Sequence, residues 1–257
     1  MMELLKIDLY KLNKSPVLKV IMAVMVIISF ATAMSTLSHL NSPETLKNLD
    51  LPVYGKDAFF VMLKDYPTIT IVGMIIICII VCGDFDHKII QSLIQAGYKR
   101  KDIVSSKILS IVFTYTIVYF PLLFVRTIVQ TVVCGFGEHF GLGILFNMFF
   151  AYISIILVST AINGIVIFLS FVVKNSIVVF TLGFVIVELF VNVIKSFTMS
   201  NSSLGQYIKF LPVGNLQYLY EQNYSFKSLA LVVIISVFFI VVWRLLTVIA
   251  FKKIDLR

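Results

Sequence analysis

Residues 140–173 read FGLGILFNMFFAYISIILVSTAINGIVIFLSFVV, a run of 34 residues that contains no Asp, Glu, Lys or Arg. A straight helix of this length would extend about 51 Å, well beyond the roughly 30 Å apolar core of a bilayer. Gly141 and Gly143 favour a turn at the surface, so we expect the spanning helix to begin near Leu145. The run is continuous rather than alternating, which predicts a helical membrane span and excludes a β-barrel strand.

The composition of the whole chain agrees with this local pattern. Of its 257 residues, 60% are apolar and 13% are charged, whereas soluble domains have about 45–50% apolar and about 25% charged residues. The mean hydropathy is +1.02. So few charges cannot cover the surface of a soluble protein of this size, and the same composition excludes a disordered chain or a disulfide scaffold. We therefore predict an all-α polytopic membrane protein.

Segments without charged residues divide the chain into six predicted spans within a single transmembrane domain, residues 1–257. The predicted spans cover residues 18–38, 66–83, 106–128, 145–172, 176–196 and 228–250. Residues 1–16 are polar-rich but alternate leucines with charges, which predicts a short amphipathic helix at the membrane surface rather than a plain charged tail.

The distribution of basic residues predicts the orientation. Both termini and the segments 84–107 and 172–176 fall on one side, which holds 14 of the 21 Lys and Arg residues and the whole net charge of +8. The positive-inside rule therefore places both termini in the cytoplasm. Anionic lipid headgroups suffice as partners for this charge, and nothing in its distribution indicates nucleic-acid binding.

Residues that could carry chemistry are scarce. The three cysteines and three histidines do not form a metal-binding or catalytic pattern, and the chain has no phosphate-binding loop, so we predict no catalytic residue, no metal and no cofactor in this chain. Arg126 lies at the end of one predicted span and Glu188 inside another, where placing a charged side chain in the membrane costs free energy. They either line a substrate pathway or form a structural ion pair; a protonated Glu188 bonded to a neighbouring helix is a third possibility.

The segment 84–103 is longer than a turn between two spans requires. Its apolar residues have helical spacing, Gly97 suits a helix C-terminus, and a basic cluster follows. This pattern predicts a short amphipathic helix that docks a cytoplasmic partner, or else a loop lying on lipid headgroups. The candidate docking residues are Asp84, Asp86, Lys88, Ile89, Ile90, Leu93, Ile94, Gly97, Lys99 and Arg100.

With these residues the chain resembles the permease subunits of ABC-2-type exporters. In that family an acidic residue ends the second helix, and a coupling helix and a basic cluster follow; here Asp84 or Asp86, Ile89–Gly97 and Lys99–Lys101 correspond. The proline-containing stretch 211–216 and the basic tail 251–257 are also similar to the family. One departure is that the glutamate common near the second helix is replaced by aspartate.

The resemblance implies a six-helix protomer that pairs with a second permease protomer, as a homodimer or a heterodimer, and with two ATP-binding subunits, which hold the ATP and Mg²⁺. Its small size is most similar to exporters of amphipathic peptides, including bacitracin-resistance, lantibiotic-immunity and phenol-soluble-modulin exporters, in the bacterial cytoplasmic membrane. Residues 198–227 would then form an outer segment, with Pro212, Gly214 and Asn215 as outer-gate candidates.

Two other classes remain open at this point. A stand-alone secondary transporter or channel would use Glu188 as a proton or ion site, but the two halves of the sequence show no convincing inverted repeat. A membrane-embedded enzyme would need clustered acids, bases or metal ligands at one depth, and the histidines are scattered.

Overall fold

The computed structural model describes residues 2–38, 54–61, 66–137, 141–199, 210–212, 214–215 and 226–254, and side chains for these except 66–67, 190–199 and 226–227. Across these residues the chain is helical and contains no strand. The helices are α1 (Met2–Lys14), α2 (Pro16–Ser38), α3 (Gly55–Val61), α4 (Tyr66–Ile77), a π-helical turn (Cys78–Cys82), α5 (Gly83–Asp86), α6 (Ile89–Gln95), α7 (Arg100–Cys134), α8 (Leu142–Ile162), α9 (Gly164–Val173), α10 (Ser176–Met199) and α11 (Phe226–Lys253).

Five helical segments among the described residues are long and apolar enough to cross a membrane, so the chain has the character of a multi-pass membrane protein. They are Pro16–Ser38, Thr68–Asp86, Arg100–Cys134, Leu142–Val173 and Ser228–Lys253. The remaining predicted span, 176–196, falls within α10, whose apolar described part is the shorter stretch Ser176–Leu189. The predicted outer segment 198–227 and the end of the basic tail lie mostly outside the described residues.

Two spans differ in extent from the sequence-based bounds. α8 begins at Leu142, three residues before the predicted start, and Gly141 precedes it in an extended conformation. α7 has 35 residues and extends about 52 Å, so it projects beyond an apolar core of about 30 Å. Its first four residues, from Arg100 to Ile103, belong to the segment 84–103 predicted to dock a partner.

α7 is the central helix of the bundle. It packs against α1, α2, α3, α4, α8 and α11. Pro121 lies inside this helix and removes a backbone donor there. Ser29 of α2 lies at the same level, with its Oγ 3.1 Å from the carbonyl oxygen of Leu122, and so adds a polar contact between the helices.

Short interruptions divide two of the spans. The π-helical turn Cys78–Cys82 interrupts the second span, and Asn163 separates α8 from α9. At the second break Gly164 lies against Trp243 of α11: a Cβ added to Gly164 would come within 2.1 Å of Trp243 Cδ1. The absence of a side chain at Gly164 is therefore what lets α9 and α11 pack closely.

One end of the bundle gathers the segments that the sequence analysis assigned to the basic side. We call it the basic end; it comprises α1, α5, α6, the start of α7 and the ends of α9 and α11. Phe85, Phe171 and Phe251 form an edge-to-face cluster there, with ring centroids 5.1–6.2 Å apart. Lys174, which ends α9 with a φ of 65°, lies 5.8 Å above the ring of Phe85.

Replacing Gly164 with alanine should destabilise the bundle, because the new methyl group overlaps the Trp243 ring. We expect a loss of about 1–3 kcal/mol, the usual range for overpacking, measured as a lower thermal unfolding midpoint in detergent. Gly143→Ala is the matched control, since a Cβ at Gly143 meets nothing within 4 Å. Combining Gly164→Ala with Trp243→Leu should recover stability; equal unfolding midpoints for the two glycine variants would contradict this account.

Candidate functional site

A chain of four charged side chains lies at the basic end, mostly buried. The ammonium group of Lys107 contacts Asp8 Oδ1 at 2.5 Å and also pairs with Asp84. Lys11 pairs with the other oxygen of Asp84. Asp84 and Lys107 are each 1% exposed and Asp8 is 7% exposed, whereas the Lys11 side chain is 43% exposed. The four side chains therefore contact one another in the order Asp8, Lys107, Asp84, Lys11. Their charges alternate in sign and sum to zero.

Hydroxyl groups of α7 complete the hydrogen bonding of this network. Ser106 and Ser110 each donate to Asp8 Oδ2 at 3.1 Å. Both carboxylates therefore have more than one partner, which is the condition under which buried charges are tolerated. The network joins α1, α5 and α7, so it holds the N-terminal helix against the spanning bundle.

The short helix expected within segment 84–103 is present as α6, and it ends just before Gly97. Gly97 has a φ of 87°, and the Tyr98 amide donates to the Leu93 carbonyl at 3.1 Å, which is the Schellman pattern of a helix C-terminus. Lys88 precedes the helix with a φ of 56°, an uncommon conformation for a residue with a side chain. α6 is therefore set off from α5 by a sharp turn.

The docking residues predicted from the sequence separate into two faces. Asp84 and Ile90 are buried within the chain, Ile90 completely, and Ile94 packs against the core. The exposed positions are Asp86, Lys88, Gly97 and Lys99, while Ile89, Leu93 and Arg100 are half-buried. Ser92 and Gln95 are also exposed and lie one turn apart on α6. Together with the exposed flanking residues Lys88 and Lys99 they form what we call the outer face of α6 and its flanks.

Arg100 has a structural role that the sequence did not indicate. Its guanidinium donates to the carbonyl oxygens of Lys252 at 3.1 Å and of Ile254 at 2.9 Å, and it also donates to the Phe251 carbonyl. It lies 5.2 Å from the centre of the Phe251 ring. These carbonyls belong to the end of α11, where backbone acceptors have no partner within the helix. Arg100 thus links the segment after α6 to the last helix.

Arg126 and Glu188 do not pair with each other. No ion pair joins them, although both side chains lie in the described part of the chain. Arg126 is buried and donates from Nη2 to Thr36 Oγ1 at 3.2 Å, toward α2. Glu188 is half-buried on α10. The structural ion pair considered for these residues is therefore absent.

The outer-gate candidates Pro212, Gly214 and Asn215 are all buried. Pro212 borders a cavity of about 240 Å³ whose other walls come from α8, α9, α10 and α11, including Ile165 and Trp243. Trp243 lies ten residues before the end of α11, or about 15 Å along the helix. Pro212 thus borders a cavity that these four helices enclose well inside the end of α11. Neither polar side-chain atom of Asn215 has a hydrogen-bond partner in the described structure.

Asp8, Lys11 and Lys107 are functional candidates that the sequence analysis missed, because it treated them as solvated charges of one face. Lys107 carried a usable signal: at the start of a span it lies among Ser105, Ser106 and Ser110 and directly precedes an apolar pair. Within the described residues no group of three or more His, Cys, Asp or Glu residues could hold a metal ion.

No protein-family model matches the chain, and no curated protein matches it.

Removing Lys107 should leave the buried carboxylate of Asp8 without a cationic partner, while Asp84 keeps Lys11. We expect Lys107→Met to lower the free energy of unfolding by about 3–5 kcal/mol, as for other broken buried ion pairs, measured by denaturant titration in detergent. Lys101→Met, six residues earlier on the same helix and exposed, is the control. The neutral double variant Asp8→Asn/Lys107→Met should regain part of the loss, and similar unfolding of both single variants would refute a structural role for the network.

Proposed function

We propose that the chain is the membrane-spanning subunit of an ATP-driven exporter of the ABC-2 type, energised by separate ATP-binding subunits. The observation that carries this proposal is the attachment of α6. One face of this helix is buried through Ile90, and the opposite face presents Ser92 and Gln95 to the outside, with the exposed Lys88 directly before the helix. A helix held firmly on one side and open on the other is suited to receive a partner and to pass its movement on.

The surroundings of α6 support such a transmission. The Arg100 contacts join its C-terminal flank to α11, and the Asp84 ion pairs join its N-terminal flank to α1 and α7. A push on α6 would therefore reach the spanning helices α7 and α11 and the N-terminal helix α1 through direct side-chain contacts. This arrangement is what a rigid lever requires, since packed helices respond by shifting between discrete positions.

The burial of Ile90 refines the docking hypothesis. In this proposal Ile90 holds α6 in the bundle and does not contact the partner, because it would have to leave the core to do so. The contact then falls to Lys88, Ser92 and Gln95, with Leu93 at the margin. Asp84 likewise acts by anchoring the segment.

The proposed cargo is an amphipathic peptide, moved out of a bacterial cell across its cytoplasmic membrane. The scarcity of ionisable side chains inside the bundle and the apolar cavity beside Pro212 support such a cargo over a small charged solute. In the same proposal a second permease protomer and two ATP-binding subunits complete the transporter, and ATP and Mg²⁺ belong to those subunits.

The proposal predicts that an ATP-binding protein co-purifies with the tagged chain from its own cells, and that the complex hydrolyses ATP. Ser92→Trp should reduce the co-purified ATPase at least about tenfold, since a misplaced large side chain at a contact costs more than 1.4 kcal/mol. Ser38→Trp, the same exchange at an exposed site near the far end of α2, should change nothing. Absence of an ATPase from the wild-type preparation would reject the proposal.

A stand-alone proton-coupled transporter is the second candidate, supported by Glu188, which is half-buried and not paired with Arg126. It predicts that the purified chain alone, in liposomes, dissipates an imposed pH gradient. Glu188→Gln would abolish this flux, whereas Glu3→Gln, at an exposed position of α1, would not. We expect no flux from the wild-type chain if the exporter proposal is correct.

A further inference from the structure

A second cavity lies at the basic end, at the level where the spans begin and end. Its volume is about 570 Å³, within the range of small-molecule sites. Its walls come from the junction of α1 and α2, from the π-helical turn with its flanks, and from the first turns of α10. These elements border the point where α2 and α10 enter the apolar region, so the cavity lies where lipid headgroups meet acyl chains.

The lining of this cavity has two chemical characters. Lys11 and His87 contribute nitrogen donors, and none of the lining residues is acidic. Ile75, Ile79 and Phe180 form an apolar wall. A ligand that satisfies both parts carries an anionic group attached to a hydrocarbon chain.

The π-helical turn is the element that shapes this wall. Cys78 belongs to the turn, lines the cavity, and directs its Sγ to the Ser176 carbonyl oxygen at 3.6 Å. This contact fastens the second span to the first turn of α10. Single π-turns inside α-helices occur frequently at functional sites, because they displace side chains from the regular helical register.

Lys11 connects the cavity to the buried ion network. Its side chain borders the cavity and also pairs with the buried Asp84. It is the most exposed of the four charged residues in the network. An anion entering the cavity would therefore share Lys11 with Asp84 and would change how firmly α1 is held against α5.

We propose that this cavity binds an anionic phospholipid, with the phosphate at Lys11 and His87 and the first part of an acyl chain against Ile79 and Phe180. The site is distinct from the outer face of α6 and does not depend on an ATP-binding subunit. Its occupant is specified by charge complementarity, because a zwitterionic headgroup would bring a second positive group next to Lys11. A free phosphate compound would leave the apolar wall unused.

The test uses the purified full-length chain in detergent, without any ATPase, and native mass spectrometry with dioleoylphosphatidylglycerol or dioleoylphosphatidylcholine. We expect phosphatidylglycerol to bind about tenfold more tightly, because both lipids present a phosphate to Lys11 but phosphatidylcholine also brings a quaternary ammonium group beside it; tenfold corresponds to about 1.4 kcal/mol. Lys11→Gln should remove this preference, and Lys6→Gln, an exposed lysine of the same helix, should keep it. Equal binding of the two lipids, or equal losses in the two lysine variants, would overturn the proposal.

A second pair of variants leaves the ion network intact. Thr181 lines the cavity, and its exposed neighbour Leu182 does not. Thr181→Trp should fill the cavity and weaken phosphatidylglycerol binding, whereas Leu182→Trp should not. The last probe is glycerol phosphate, which has the headgroup but no acyl chains. If it raised the unfolding temperature of the chain as much as phosphatidylglycerol does, the cavity would bind anions in general and the lipid assignment would be wrong.

Discussion

Buried charges must be neutralised where water is scarce, and the basic end of this bundle is organised by that requirement. Lys107 is enclosed between α1 and α5, and its charge is tolerated because Asp8 and Asp84 approach it from both sides. An isolated buried ion would cost several kcal/mol, so each of these residues depends on the others. The position of α1 follows from this dependence, since Asp8 can reach Lys107 only when the N-terminal helix lies against α7.

The same requirement explains why the polar contacts at the basic end are long-range. The spans provide few polar groups, and their backbones are satisfied within the helices. The polar groups that still need partners lie at helix ends and turns. Arg100 donates hydrogen bonds to the terminal carbonyls of α11, and Lys174 lies over the ring of Phe85. These contacts connect elements that are far apart in sequence, and they make the basic end a single packed unit around α6.

Much of the helical layout could be predicted because it depends on local physics. The length of an apolar run, the helical spacing of Ile90 and Ile94, and the left-handed conformation that Gly97 adopts all depend on neighbours within a few residues. The ion network could not be predicted in this way, because Asp8 and Lys107 are 99 residues apart in the chain. Nothing in a single sequence indicates which of its charged residues form pairs. Arg126 and Glu188 illustrate the same limit: similar depth suggested a pair, but Arg126 faces α2 instead.

Lys11 belongs both to the ion network that anchors α1 and to the cavity that we propose as a lipid site. The inner members of the network, Asp84 and Lys107, are enclosed and can exchange partners only if the bundle opens. Lys11 is accessible from the cavity, so a ligand can alter its pairing while the rest of the network stays intact. Since Asp84 also anchors the segment that leads to α6, an anion at Lys11 would act on the proposed docking helix through one shared carboxylate. If α6 has two positions, such a ligand can shift the equilibrium between them only by as much as its affinity for the two differs. The dependence of ATPase coupling on the bound lipid therefore measures how strongly the lipid site and α6 are connected.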